Sequence, residues 1–268
     1  MTNQREAPHP PLLRVTDLRV EFSGKSGPVR AVDGVTFDVA PGETLGIVGE
    51  SGSGKTTVGR AVLRLIPVAG GTVEFEGEDV LRAPASRLRA LRRRMQIVFQ
   101  DPGGSLNPRM RVGEAICEPL LVHGAARSRG EAMARAGELL ERCGLSRDAG
   151  TRYPHQFSGG QRQRICIARA LALSPSLIVC DEPTSALDVS VQAQVLNLLM
   201  DLQRDLGLSY LFISHDIGVV QHVSSRIAVM KSGRVVEMGD ARSVLERPRH
   251  EYTQTLLGAV LARIMPRP

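Results

Sequence analysis

The chain has 268 residues, a formal net charge of +6 and a hydrophobic content of 42%, so it is long enough for one large α/β domain with a smaller insert. No apolar run approaches the roughly 18 residues that a membrane-spanning helix needs. The opening "MTNQREAPHPP" is polar and lacks the apolar core of a signal peptide, so we expect a frayed tail and a cytoplasmic chain.

The composition also limits the kinds of molecule that the chain is expected to bind. Aromatic residues make up 3% of the chain and Trp is absent, which argues against a base-stacking platform for single-stranded nucleic acid. The arginine-rich stretch "RLRALRRRM" is typical of a solvated helix face, and contact with lipid headgroups or with acidic loops of a membrane partner is the alternative. The cysteines form no C-x-x-C pair, which predicts small buried side chains at Cys117, Cys143, Cys166 and Cys180.

The first hundred residues alternate between strand and helix patterns. Apolar and polar residues alternate in the stretches that we predict to be antiparallel strands, whereas a short apolar run ending in glycine predicts a buried strand. A helical periodicity follows that buried strand in "TTVGRAVLRLI". The predicted strands are "LLRVTDLRVEF", "VRAVDGVTFDV", "ETLGIVG", "GTVEFEGEDV" and the end of "RRRMQIVFQD".

From about Pro102 to Gln156 the strand patterns stop. "VGEAICEPLLVHG" and "RGEAMARAGELLERCGL" have helical periodicity, and we expect this region to be an all-helical insert. After it the sequence predicts a helix from Gly160, the strand "SLIVCD", a helix from Val189 to Leu206, the strand "SYLFISHD", the hairpin "RIAVMKSGRVVEMG" and a helical tail, "SVLERPRHEYTQTLLGAVLAR". The order predicts an α/β nucleotide-binding core with a helical insert and an antiparallel β edge.

The stretch "GESGSGKT" matches G-x-x-x-x-G-K-[ST] and lies between a predicted strand and a predicted helix. Its glycines let backbone N–H groups point at phosphate oxygens, and the helix N-terminus adds partial positive charge. Lys55 is expected to reach the β- and γ-phosphates, and the Thr56 hydroxyl to bind Mg²⁺. The expected phosphate-binding residues are Gly49, Glu50, Ser51, Gly52, Ser53, Gly54, Lys55, Thr56 and Thr57.

Acidic and polar residues end three other predicted strands. Asp181 is expected to bind Mg²⁺, and Glu182, one residue further, is the candidate general base for the attacking water. His215 ends "LFISH" where it could hold the γ-phosphate, the water and Glu182 in place. Gln100 ends "QIVFQ" at the start of the insert, where its amide could contact Mg²⁺ or the water and report nucleotide state.

A second glycine-rich helix start, "FSGGQ", begins at Phe157. It has no Lys and no following metal ligand, so it cannot serve the same phosphates as the first loop. Two interpretations remain open from these residues: an ordinary helix cap, or an anion site for a nucleotide held by another subunit. In the second case, Ser158, Gly159, Gly160 and Gln161 would complete a site shared by two head-to-tail subunits.

Together these motifs resemble the ATP-binding subunits of ATP-binding cassette (ABC) transporters. "FSGGQ" is similar to that family's signature motif, with Phe157 in place of the usual Leu, and "SALD" at Ser185–Asp188 resembles its D-loop. The resemblance implies a P-loop, RecA-like α/β core with an antiparallel β subdomain. It also implies ATP and Mg²⁺ as ligands, with Phe22 stacking on adenine and with Thr56, Gln100 and Asp181 at the metal.

Three stretches narrow the resemblance to the oligopeptide, dipeptide and nickel importers: "VFQDPGGSLNPRM", "YPHQFSGGQRQRICIARAL" and "RHEYTQTLL". The group implies a second, identical or related ATPase subunit, two membrane permease subunits and, indirectly, an extracytoplasmic binding protein. The resemblance favours di- or oligopeptides as the transported cargo, with nickel or another small solute as the second choice. A soluble ATPase that acts on nucleic acid is the alternative function. The chain is then expected at the cytoplasmic face of the membrane, without the iron–sulfur cluster of some members.

The resemblance covers nearly the whole chain and predicts one ABC ATPase domain over residues 1–268. We expect a catalytic core with its β subdomain at about 11–100 and 157–240, a helical subdomain at about 101–156 and a helical tail at about 241–268.

Overall fold

The computed structural model describes residues 10–24 and 27–264, with side chains described as far as residue 258. Residues 1–9 of the expected frayed tail and residues 265–268 of the expected helical tail lie outside these ranges. The strands are β1 (Leu13–Gly24), β2 (Gly27–Val39), β3 (Thr44–Val48), β4 (Gly70–Phe75), β5 (Glu78–Asp79), β6 (Met95–Val98), β7 (Leu177–Asp181), β8 (Ser209–Ser214), β9 (Arg226–Lys231) and β10 (Arg234–Asp240). The helices are α1 (Lys55–Val62), α2 (Ala85–Arg94), α3 (Pro102–Ser105), α4 (Val112–Val122), α5 (Arg129–Arg142), α6 (Gly159–Leu171), α7 (Val189–Leu206), α8 (Ile217–Val223), α9 (Ala241–Glu246) and α10 (Glu251–Ile264).

A six-stranded sheet in the order β10-β9-β3-β8-β7-β6 forms the centre of the fold. Strands β9, β3, β8, β7 and β6 are parallel, and β10 adds an antiparallel edge. Every residue of β3, β7 and β8 is buried, as expected for central parallel strands that are covered on both faces. Alternate side chains enter two apolar cores: Ile178 packs with α6 and α7, and Val179 packs with α1 and the second sheet.

The second sheet is antiparallel, in the order β2-β1-β4-β5. The sequence predicted a single strand over "GTVEFEGEDV", whereas the structure divides it into β4 and β5. Glu76 and Gly77 both have positive φ, 52° and 79°, which is the backbone of a tight hairpin turn of the kind that suits twisted strands. The chain therefore reverses at a Glu-Gly pair that sequence alternation does not reveal.

Residues 102–156 contain α3, α4, α5 and two 3₁₀ turns, Arg147–Thr151 and Pro154–Gln156. Their apolar side chains, including Ile116, Leu120 and Leu140, join the same core as α6. This region lies between β6 and α6, so it follows the sheet at Gln100 and leads into α6 at Phe157.

The arginines of α2 are largely held by the chain itself. Arg87 forms an ion pair with Glu78, and Arg94 pairs with Glu76 at 2.6 Å. Arg92 donates hydrogen bonds to backbone carbonyls at the end of the turn after α1. These contacts favour a structural role for the basic stretch over a contact with lipid headgroups.

The C-terminal tail forms two helices rather than one continuous helix. Residues 247–250 separate α9 from α10, because Pro248 disfavours helical backbone at Arg247, which has φ −137° and ψ 59°. Within the described part of the chain, no helix is long and apolar enough to cross a bilayer. The cysteines are free and buried as predicted, and burial raises the pKa of the Cys143 thiol to about 12.

Candidate nucleotide-binding site

A cavity of about 690 Å³ opens at the carboxyl ends of β3, β6, β7 and β8, where functional side chains of an open parallel sheet are expected to meet. Its wall combines the glycine-rich loop after β3 with polar residues that follow the other strands. The lining residues are Ala31, Glu50, Ser51, Gly52, Gly54, Lys55, Thr56, Thr57, Gln100, Glu182, His215 and Leu256.

The glycine-rich loop joins β3 to the N-terminus of α1. Gly54 has φ 100°, and a Cβ atom there would lie 2.3 Å from the carbonyl oxygen of Ala31. Only glycine fits this position, because both the backbone conformation and the available space exclude a side chain. The first turn of α1 contains no acidic residue and has no side-chain cap, so its N-terminal N–H groups are not bonded by a capping side chain.

Lys55 lies at the floor of this loop and is 4% exposed. Its Nζ donates hydrogen bonds of 2.8 Å to the carbonyl oxygens of Gly49 and Glu50 and a longer one of 3.4 Å to Ser53 Oγ. Burial lowers the pKa of Lys55, against the opposing charges of Glu182, Asp181 and Glu50. Its ammonium group therefore lies within the loop, where a phosphate group would offer it a better counter-charge than carbonyl oxygens do.

Thr56 and Asp181 bring two oxygen ligands together. The Thr56 hydroxyl donates a 2.7 Å hydrogen bond to Asp181 Oδ1, although the residues are far apart in the sequence. Burial raises the pKa of Asp181, and the hydrogen bond from Thr56 only partly offsets this. A buried carboxylate beside a hydroxyl is an environment that a divalent cation would stabilise, and both are hard oxygen ligands of the kind that Mg²⁺ prefers.

Glu182 is the point where the predicted catalytic residues meet. Its Oε2 accepts a 3.2 Å hydrogen bond from Gln100 Nε2 and lies 3.0 Å from His215 Nδ1. Glu182 has φ 49°, a backbone conformation that costs on the order of 1–3 kcal/mol for a residue other than glycine. Its backbone N–H bonds to Ile213 of β8, and its side chain enters the cavity instead of continuing the pleat of β7.

Phe22 is one of the predicted site residues that do not line this cavity, as are Gly49, Ser53 and Asp181. It lies on β1 opposite Val29 of β2, and it does not line the cavity. Its side chain is 44% exposed, so it has an open face. Its role as an adenine-stacking residue stays a prediction.

The second glycine-rich segment, Ser158–Gln161, does not line the cavity either. Ser158 Oγ accepts the backbone N–H of Gln161, and the Gln161 side chain accepts the backbone N–H of Ser158, which makes a capping box at the start of α6. A Cβ atom on Gly160 would lie 2.2 Å from Val191 Cγ1, so this glycine also permits close packing of α6 on α7. The Ser158 and Gln161 side chains remain exposed.

The structure adds residues that the motifs did not indicate. Ala31 of β2 and Leu256 of α10 form part of the cavity wall. Tyr252 of α10 accepts a hydrogen bond from the backbone N–H of Glu50 in the glycine-rich loop. The stretch "RHEYTQTLL" resembles a sequence of the importer group, but no pattern in the sequence indicates that it lies beside the glycine-rich loop.

A parallel sheet with a Lys-bearing glycine loop, a buried Asp and a Glu–His pair at one edge defines an ATP-binding cassette. This chain belongs to the ABC transporter family, whose sequence profile matches residues 32–185. The chain is 54% identical over 257 residues to the glutathione import ATP-binding protein GsiA of Escherichia coli strain K12, and to the protein of the same name from Shigella flexneri. The alignment covers 93% of this chain and 41% of those relatives, so the chain spans about two fifths of their length.

Solved structures of ABC cassettes have the same fold. The dimeric cassette MJ0796 bound to ADP and Pi superposes with a TM-score of 0.78 and 30% sequence identity, covering 86% of this chain and 99% of that one. The cassette cbiO1 from Clostridium perfringens, part of a cbiONQ transporter complex, gives a TM-score of 0.77 at 26% identity and covers 95% of this chain and 97% of its own. The α/β fold predicted from the sequence is therefore confirmed.

Proposed function

We propose that this chain is the ATP-hydrolysing subunit of an ABC importer. The observation that carries the proposal is that Lys55, Thr56 and the Glu182–His215 pair line one cavity, with Asp181 hydrogen-bonded to Thr56. These side chains come from the start of α1 and from the ends of β7 and β8, and each has the chemistry that one part of phosphoryl transfer requires.

Residues 49–57 would bind the phosphates of ATP, and Lys55 would exchange its carbonyl partners for phosphate oxygens. Thr56, Asp181 and the amide oxygen of Gln100 would hold Mg²⁺. Bound there, Mg²⁺ would neutralise negative charge on the phosphates. Adenine would stack on the exposed Phe22.

Glu182 would act as the general base. Both hydrogen bonds from Gln100 and His215 go to Oε2, so we assign Oε1 to the attacking water. His215 and Gln100 would orient the Glu182 carboxylate. The water would transfer a proton to that carboxylate while its oxygen attacks the γ-phosphate. The products are ADP and phosphate.

A second ATPase subunit, identical or related, would complete the site. Ser158, Gly159 and Gly160 lie outside the cavity of their own chain, yet they present an exposed hydroxyl at a helix N-terminus. In the proposed dimer these groups and Gln161 face the ATP of the partner. Two ATP molecules would then be enclosed between subunits, and hydrolysis would open the dimer.

The importer assignment rests on relatives. GsiA is named as a glutathione import protein, and glutathione is a small peptide, which supports di- or oligopeptides as cargo of this chain. Two permease subunits would carry the cargo, an extracytoplasmic binding protein would deliver it, and the chain would lie at the cytoplasmic face. We divide the chain into a core (about 11–100 and 157–240), a helical subdomain that contacts the permeases (about 101–156) and a tail (about 241–268).

Uptake in cells that lack this chain tests the importer assignment. Labelled dipeptide, glutathione and nickel are supplied separately, and the gene is restored either unchanged or as Lys55→Ala. We expect the unchanged gene to restore peptide uptake and Lys55→Ala to leave it absent. If the gene restored nickel uptake alone, the cargo would be nickel and not a peptide. Unaltered uptake of all three solutes in cells without the gene would refute the importer role.

A further inference from the structure

The C-terminal helix α10 contacts the phosphate-binding loop through one tyrosine. The Tyr252 hydroxyl accepts a 3.2 Å hydrogen bond from the backbone N–H of Glu50, and Leu256, one turn later, lines the cavity. Tyr252 is 6% exposed, and the Lys231 ammonium lies 4.7 Å from the centre of its ring. The tyrosine is therefore fixed both at its hydroxyl and at its ring.

The contact involves the same peptide unit that holds the catalytic lysine. The carbonyl of Gly49 accepts a hydrogen bond from Lys55 Nζ, and the N–H of the same Gly49–Glu50 peptide donates to Tyr252. Because the carbonyl and the N–H belong to one plane, a rotation that breaks one hydrogen bond also misaligns the other. Hydrogen bonds made at both ends of one peptide also polarise each other.

Tyr252 is in turn positioned by the half-buried Glu237, which holds the segment before α10. The Glu237 carboxylate of β10 accepts the backbone N–H groups of Arg249 and His250 at 2.9 Å and 3.0 Å. The His250 ring then accepts the backbone N–H of Tyr252 at 3.1 Å, so a side chain caps the first turn of α10. Next to Tyr252, Thr253 is fully buried. This chain of contacts runs from the edge strand to the phosphate-binding loop.

We infer that Tyr252 is a positioning residue for nucleotide binding, which orients the Gly49–Glu50 peptide and, through it, Lys55. The inference rests on the proposed role of residues 49–57 in binding phosphate. Without the hydroxyl, the peptide samples other orientations in the free protein, and the nucleotide must restore the competent one. The apparent affinity then falls by the fraction of molecules that have lost that orientation.

The decisive comparison is between two tyrosine-to-phenylalanine variants of the full chain. Tyr252→Phe keeps the ring under Lys231 and removes only the hydroxyl. Tyr210→Phe is the matched control, because the buried Tyr210 hydroxyl donates to the Leu199 carbonyl in the core, away from the cavity. Calorimetric titration with MgADP reports the affinity of the loop without hydrolysis, and thermal unfolding reports stability.

We expect Tyr252→Phe to raise the Kd for MgADP about 3–10-fold and Tyr210→Phe to leave it within twofold of the unchanged chain. Glu237→Gln, which weakens the hydrogen bonds to the segment before α10, should raise the Kd in the same direction and keeps the test available if Tyr252→Phe does not fold. An unchanged Kd in Tyr252→Phe, with only a lower unfolding temperature, would overturn the inference. Failure of the unchanged chain to bind MgADP would refute the phosphate-binding role itself.

Discussion

The two glycine-rich helix starts of this chain differ in what completes them. At residues 49–56 the loop gains side chains from distant parts of the sequence, as the 2.7 Å contact of Thr56 with Asp181 and the contact of Glu50 with Tyr252 show. At residues 158–161 the polar groups bond to one another in a capping box. The first loop thus contacts side chains from distant parts of the chain, whereas the second packs its glycines on Leu187 and Val191 and leaves the Ser158 and Gln161 side chains exposed.

This difference shows that a glycine-rich motif and a complete site are separate properties. Both segments place backbone N–H groups at a helix N-terminus, which attracts anions. Only the first adds a cation and hydroxyl, carboxylate and imidazole groups at distances that suit catalysis. A role for the second segment in catalysis therefore requires another subunit, and the predictions below test that requirement.

The largest effect is expected for Glu182→Gln. The amide cannot accept a proton from water, so ATP turnover should fall about 10²–10⁴-fold while ATP binding is retained. An ATP-bound dimer should accumulate. Phosphate release measures turnover, and light scattering measures the dimer. Glu246→Gln, which alters an exposed pair with Arg242, is the control. Turnover that stays normal in Glu182→Gln would remove Glu182 from its role.

A negative charge introduced at Ser158 distinguishes the two roles of this segment, a helix cap alone or part of a shared nucleotide site. Asp and Asn both cap helices well, but only Asp would repel the phosphates of a partner's ATP. We expect Ser158→Asp to lower ATP turnover at least about 10-fold relative to Ser158→Asn, because opposed like charges cost several kcal/mol at an interface. The unfolding free energies of the two variants should agree within about 0.5 kcal/mol. Equal turnover in both would leave the segment as a cap alone.

The position of a candidate residue in the fold could be predicted from sequence where its motif lies at the end of one buried strand. The phosphate-binding loop, Asp181, Glu182 and His215 all follow buried parallel strands, so their shared edge could be inferred from topology. The hairpin turn at Glu76–Gly77 was not predicted, because the alternation of apolar and polar side chains continues across it. The helix break at Pro248 was missed although proline gave a signal for it.

The contacts of Tyr252 and Leu256 could not be predicted in the same way. They depend on how α10 packs across the carboxyl edge of the sheet, and no local pattern encodes a contact between residues 50 and 252. Phe22 shows the reverse case, because a position supplied by resemblance does not lie on the cavity wall in the free chain.

The two glycines of the second segment differ in how closely they pack against α7 and the residues before it. Gly160→Ala should destabilise the fold by about 1–3 kcal/mol, because its Cβ would lie 2.2 Å from Val191 Cγ1. Gly159→Ala should be neutral or slightly stabilising, since its Cβ would lie 3.4 Å from Leu187 and alanine favours a helix. Urea unfolding measures both, and Val191→Ala should rescue Gly160→Ala. A Gly160→Ala chain as stable as the unchanged one would show that α6 and α7 can separate at this point.

The smallest effect concerns the remote support of the first loop by Glu237. Burial raises the pKa of this carboxyl, but the neighbouring Thr253 hydroxyl and the hydrogen bonds from the Arg249 and His250 N–H groups outweigh it and lower the pKa below its ordinary value of 4.5. A lowered folded-state pKa means that the carboxylate stabilises the fold above pH 4.5 and that this contribution is lost as pH falls through the folded-state pKa. Glu237→Gln lacks the titrating group, so the difference in unfolding free energy between it and the unchanged chain should shrink as pH falls from about 6 to about 3. Urea unfolding at several pH values measures that difference. A difference that stays constant would show that the ionised carboxylate does not hold the segment before α10, and the contact between Tyr252 and the phosphate-binding loop would then need another support.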